Sequence, residues 1–258
     1  MHAKTMKNTA LAAGLLIAIG AGSATAAEIK VLTAGAMKSV VLAVAEDFRK
    51  STGHMLVVEN ETVGALVKLI EGGAAFDVAI VSPGAIDGLI AKGKIAAGSR
   101  TAVSRVGIGV MVKAGAARPD ISNLDAFKRT LLAAKTVGYI DPASGGSSGI
   151  YLAQLFEKLG IADAIKPKAK LKQGGYVADL VSSGEAEIGI HQISEILPAP
   201  GVTLIGPLPA EIQNYTVYAT GIGAGSKETA AASALVKWLA GPETAPVLGT
   251  KGMERPPA

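Results

Sequence analysis

The run Asp141–Gly160, DPASGGSSGIYLAQLFEKLG, decides how the chain is read. It follows the apolar Val137-Gly138-Tyr139-Ile140, crosses a loop dominated by Gly and Ser, and enters a periodic segment with Ile150, Leu152, Leu155, Phe156 and Leu159 apolar. That pattern predicts strand, loop, helix. Ser147, Ser148 and Gly149 fall at the helix start, where unpaired N–H groups and the positive end of the helix dipole favour an anion. A serine there also serves as an ordinary helix cap, so the stretch alone leaves capping and ligand binding both open.

Moving outward, the chain repeats this alternation. Glu28–Ala34 (EIKVLTA) reads as a short strand broken by Gly35, and Val40, Val41, Val44, Ala45 and Phe48 then mark one face of a helix stopped at Gly53. Met55–Val58 is the next strand. Ala65, Leu66, Leu69 and Ile70 carry a second helix, and Phe76–Val81 (FDVAIV) has the continuous apolar character of a strand buried on both faces. Arg100–Lys113 reads as two or three extended segments with no helix between them, a crossover out of a first lobe. A second βα series runs from Thr136 to Ile190, Gln213–Ile222 is a return strand, and Lys227–Leu239 a final helix. Strands alternating with helices predict βαβ units around mainly parallel sheets. The expected architecture is α/β and two-lobed, with a cleft between lobes: residues 27–105 in lobe 1, 106–215 in lobe 2, and 216–258 returning to lobe 1.

Residues 1–26 have the build of a secretory signal peptide: Lys4 and Lys7, the apolar run Ala10–Gly22, and the small-x-small Ala24-Thr25-Ala26. Cleavage near Ala26 and a periplasmic destination are therefore expected. Cysteine is absent, which removes disulfides, thiolate catalysis and zinc–thiolate sites together. A formal net charge of +4, 4% aromatic residues and no basic cluster give no footprint of a nucleic-acid binder. His54 and His191 are the histidines left outside the signal, so neither a metal site nor a cofactor is expected.

The succession LTAGAMKS, VAEDFRKSTG, VGALVKLIEGGAAFDVAIVS, DPASGGSSGIYLAQLFEKLGI and GEAEIGIHQISE resembles the molybdate-binding branch of the type 2 periplasmic solute-binding proteins. The resemblance covers almost the whole chain after Ala26. It implies a receptor that closes on a small ligand and delivers it to a membrane ABC permease, working as a monomer. The hydroxyl positions of oxyanion-binding members correspond here to Ala36 and Val63, and His191-Gln192 stands where a Tyr is usual. Missing donors leave a buried dianion unpaired, which argues against molybdate. Gln192-Ile193-Ser194-Glu195, with Pro200-Gly201 and Gly206-Pro207-Leu208-Pro209, is more similar to a divergent branch that includes a periplasmic aconitate isomerase. The expected ligand is accordingly a small organic carboxylate, with isomerisation of an unsaturated tricarboxylic acid as the alternative activity and an inorganic oxyanion as a third reading.

The candidate ligand-binding residues follow from strand ends, where parallel sheets place their ligands. Thr62 and Ser82 end strands on one rim, and Ser147 and Ser148 begin the facing helix, with Tyr151 on its first turn. Lys38 and Arg105 are the cations expected to meet a carboxylate, Arg105 by a bidentate grip. His191 and Gln192 end the strand Ala186–Ile190, and His191 separates receptor from enzyme, since its ordinary pKa suits it to move a proton. Glu61 and Glu195 are alternative bases, but a carboxylate facing an anion would repel it, so each is read as a surface or capping group.

Overall fold

The computed structural model describes residues 26–257, so the expected signal peptide lies outside the described residues apart from Ala26. The first lobe is built from β1 (Glu28–Ala34), α1 (Gly35–Thr52), β2 (Met55–Glu61), α2 (Val63–Glu71), β3 (Val78–Val81) and α3 (Pro83–Ala91), after which β4 (Thr101–Lys113) crosses over. The second contains α4 (Leu124–Ala133), β5 (Val137–Ile140), α5 (Ser147–Lys158), α6 (Ala162–Ile165), β6 (Ala169–Lys172), α7 (Ala178–Ser183), β7 (Ile188–Gln192), α8 (Ile193–Ile196) and β8 (Val202–Pro207). The chain returns through β9 (Tyr215–Ile222) and ends with α9 (Thr229–Ala240), α10 (Ala245–Thr250) and β10 (Met253–Glu254).

The strand order is β2-β1-β3-β9-β4-β7-β5-β6, with β8 and β10 also paired to β4. Each lobe has a parallel centre, β2-β1-β3 in one and β6-β5-β7 in the other. Antiparallel β9 and β4 join these parallel centres and make the sheets mixed at the junction. The crossover is likewise one strand of 13 residues rather than several segments. Its first half pairs with β9 and its second with β7 and β8, with register shifts after Ala102 and Val110. Where it changes lobe, the Gln213 amide takes the place of a neighbouring strand: it accepts from Ile108 N–H and donates to Ile108 C=O, both at 2.9 Å.

The cores separate at that point. Val103 and Val106 pack with Phe48, Tyr218 and Leu235 in lobe 1, whereas Ile108, Val110 and Val112 pack with Phe127, Phe156 and Ile190 in lobe 2. Each such side chain contributes roughly 1.5–3 kcal/mol by leaving water, enough to hold each lobe without a disulfide. The helix faces follow from periodicity: Val40, Val41, Val44 and Phe48 are buried on α1, which ends at Gly53 with φ 78°, a left-handed conformation that suits a residue without Cβ. No helix among the described residues is long and apolar enough to cross a membrane.

Candidate functional site

The cleft lies at the carboxyl ends of the parallel strands, and three strand-to-helix junctions furnish its walls. Ala34, Gly35 and Ala36 come from β1–α1, Asn60 to Val63 from β2–α2, and Ile140 with Gly146 to Ser148 from β5–α5. Gly175, His191, Gln192, Glu195 and Tyr218 complete a small hollow of about 30 Å³. Neither α1 nor α5 has a side-chain cap, so both present unpaired first-turn N–H groups at this hollow. The lining contains no Lys or Arg among the described residues. Negative charge on a ligand would be met by helix ends and neutral donors.

The floor is polar and buried. Gln192 is 1% exposed, and its Nε2 donates to Thr216 Oγ1 at 2.9 Å and to Ser147 Oγ at 3.3 Å. Ser147 Oγ is 3.4 Å from the Tyr218 hydroxyl. Burial, with Glu195 adding to it, pushes the Tyr218 phenol up, so it remains a donor. His191, 2% exposed, places Nε2 3.4 Å from Glu195 Oε2, and Glu195 itself is 7% exposed. Burial pushes the Glu195 carboxyl up to about 8 and holds His191 down to about 3. These shifts favour, at neutral pH, a carboxylic acid beside a neutral imidazole, with the titratable proton of the pair on Glu195. His191 Nδ1 and Gln192 Oε1 are buried without a hydrogen-bond partner, the condition of groups that await a ligand.

The lobes touch across this hollow. Thr62 Oγ1 donates to Ser144 C=O at 2.6 Å while accepting from Ala65 N–H, and Gly64 N–H donates to Gly145 C=O at 3.3 Å. The two glycines meet backbone to backbone, since a Cβ on Gly145 would stand 2.6 Å from Gly64 Cα. On the other side Ser194 Oγ donates to Ala36 C=O at 2.9 Å.

Of the expected residues, Thr62, Ser147, Ser148, His191 and Gln192 line this hollow. The others lie elsewhere for identifiable reasons. Arg105 is held by Glu254, with Nε and Nη2 both 2.8 Å from Oε1, and stacks on Tyr215 at 4.6 Å, so it lines a different depression. Tyr151 points away, donating to Ile212 C=O at 2.7 Å. Ser82 precedes Pro83 at the start of α3, outside the lining. Lys38 sits 6.0 Å from the Tyr176 ring centroid, beside the hollow rather than in it. Glu195 is the main correction: burial keeps it neutral, so it enters the cleft without the repulsion expected of a carboxylate. Tyr218 and Thr216 were also missed. Their signal is the alternation Thr216, Tyr218, Thr220, a polar face inside an otherwise apolar strand.

This fold and this cleft define a class, the two-lobed binding proteins that enclose a small ligand between α/β lobes. The chain belongs to the bacterial extracellular solute-binding protein family, whose model matches residues 29–254. It is 32% identical over 236 residues to an aconitate isomerase from Pseudomonas sp., covering 89% of this chain and 88% of that protein. It is 29% identical over 257 residues to the molybdate-binding protein ModA of Azotobacter vinelandii, covering 92% and 96% of the two chains. Among solved structures, the A. vinelandii periplasmic molybdate-binding protein superposes with a TM-score of 0.77 at 21% identity, over 89% of this chain and 100% of that one.

Proposed function

We propose that the cleft closes on a small unsaturated polycarboxylate and shifts its double bond by proton transfer, as an aconitate isomerase does, in the periplasm. The observation that carries this reading is the buried His191–Glu195 pair, which holds one mobile proton at 3.4 Å separation inside an anion-accepting hollow. A receptor needs only donors, whereas two titratable groups whose pKa values are driven apart are what acid–base chemistry requires.

The step balances without a cofactor. His191 Nδ1 takes a proton from a methylene beside a carboxylate, and the freed electron pair forms the new C=C bond. The electron pair of the old double bond takes the Glu195 proton at its far carbon. An imidazolium and a carboxylate are left side by side; a proton passing from Nε2 to Glu195 leaves the Nδ1–H tautomer of the imidazole, and loss of the Nδ1 proton to water with reprotonation of Nε2 restores the starting state. The uncapped starts of α1 and α5 hold the substrate carboxylates and stabilise the dienolate charge.

A second reading, a receptor handing an organic anion or an oxyanion to an ABC permease, is favoured by the family and by the neutral character of the cleft wall. Against an inorganic dianion stand Ala36 and Val63, which line the hollow without hydroxyls, and Thr62, whose hydroxyl already bridges to Ser144. Incubation of the protein with trans-aconitate, followed in the ultraviolet, separates the readings. The isomerase reading expects conversion to the cis isomer, and binding without conversion would leave the receptor.

A further inference from the structure

Glu195 raises a question of charge that the proposed reaction leaves open: how an acid and an anion share one enclosed space. Its Oε1 faces the backbone at Gly35, where a Cβ would stand 2.5 Å away, and its Oε2 faces His191. Tyr218 of β9 and Tyr176, ahead of α7, are the other titratable groups whose fields it enters. The nearby cations are occupied or displaced. Lys38 of α1 lies by the Tyr176 ring and Arg105 of β4 is turned to Glu254, while β8 supplies no titratable side chain. Glu61, in the lining, is a further acidic side chain and not a cation. An ionised Glu195 beside a bound carboxylate would therefore put two like charges in one hollow with no cation between them, and such pairs resolve by keeping a proton.

We infer that Glu195 takes part in recognition as a neutral carboxylic acid that donates a hydrogen bond to the bound anion, so that the cleft takes ligand and proton together. This rests on the proposed binding of an organic polycarboxylate in that cleft. It makes Glu195 a determinant of specificity as well as of chemistry. A protonated acid is complementary to a carboxylate oxygen, and Gly35 is the residue that leaves room for it at the start of α1. Burial, which pushes the Glu195 carboxyl up to about 8, acts in the same direction.

The sign of the linkage follows. Below the pH at which free Glu195 ionises, the proton is already present and binding takes up none. Above it, binding must recover the proton, and affinity falls by about tenfold per pH unit. The test uses tricarballylate, a saturated tricarboxylate that cannot be isomerised and whose carboxyls, titrating near pH 4, stay ionised throughout the alkaline range. Calorimetry in two buffers of different ionisation enthalpy should give an uptake of close to one proton per ligand at about pH 9 and close to none at about pH 6.5. Glu195→Gln, which keeps a donor in the same place, should abolish the alkaline uptake and flatten the affinity. Zero uptake by the unaltered protein at about pH 9, or full uptake retained in Glu195→Gln, would overturn the inference while leaving the cleft's ligand intact. If neither tricarballylate nor trans-aconitate binds at any pH, the reading on which it rests falls, and the inference with it.

Discussion

Unfolding returns Glu195 from about 8 to its ordinary 4.5 and His191 from about 3 to its ordinary 6.5. Between pH 4.5 and 6.5 the folded and unfolded chains then hold the same number of these protons, Glu195 carrying one when folded and His191 one when unfolded. Above 6.5 the folded state alone keeps a proton, so stability should fall by roughly 2 kcal/mol up to pH 8; below 4.5 the unfolded state binds more, and stability falls again. Thermal unfolding against pH should show that plateau, and Glu195→Gln should remove the alkaline decline. A midpoint that rises from pH 6.5 to 8 in the unaltered protein would contradict the neutral pair. His191→Ala should cost turnover a factor of about 10² to 10⁴ with little loss of fold, which circular dichroism and the ultraviolet assay would check together. At this scale sequence could nominate His191 from its place after an apolar strand. It offers Glu195 only as an alternative base and sets it aside, because a carboxylate four residues on reads as solvent-exposed until the packing of α8 on α1 is known.

The start of α5 and the loop before it form the element through which the lobes touch. Gly145, with φ 76° and its backbone against Gly64, has no space for a side chain. Gly145→Ala should cost about 1–2 kcal/mol in backbone strain and hold the lobes apart. Its clearest signature should be tricarballylate affinity lowered at least tenfold, with the lobe cores intact by thermal unfolding. An unchanged affinity would show that closure does not use this contact. Thr62→Val keeps the shape but loses the cap on α2 and the bond to Ser144, and should lower stability by about 1 kcal/mol, read by denaturant titration. The glycine- and serine-rich loop announced a backbone-shaped surface after β5. The facing partner of Gly145 was not legible, since residues 64 and 145 share no local pattern and meet only through the tertiary fold.

For the whole molecule, the order of strands and helices was readable because apolar runs and amphipathic faces repeat with Gly stops between them. The mixed sheets were not, because pairing direction at β9 and β4 depends on which lobe each half of a 13-residue strand joins. The same crossing explains why Arg105 left the cleft: β10 pairs beside it and presents Glu254 on the outer side. In the proposed function, two separate cores joined through β4, β9 and α8 would let the lobes part to admit a ligand and then bring His191, Glu195 and both helix starts around it. The dependence of kcat/KM for trans-aconitate on pH tests this account most directly. It predicts turnover that is steady at neutral pH, declines above about pH 8 as Glu195 loses its proton, and disappears in His191→Ala. Turnover that is undiminished well above that pH, or that survives in His191→Ala, would contradict it.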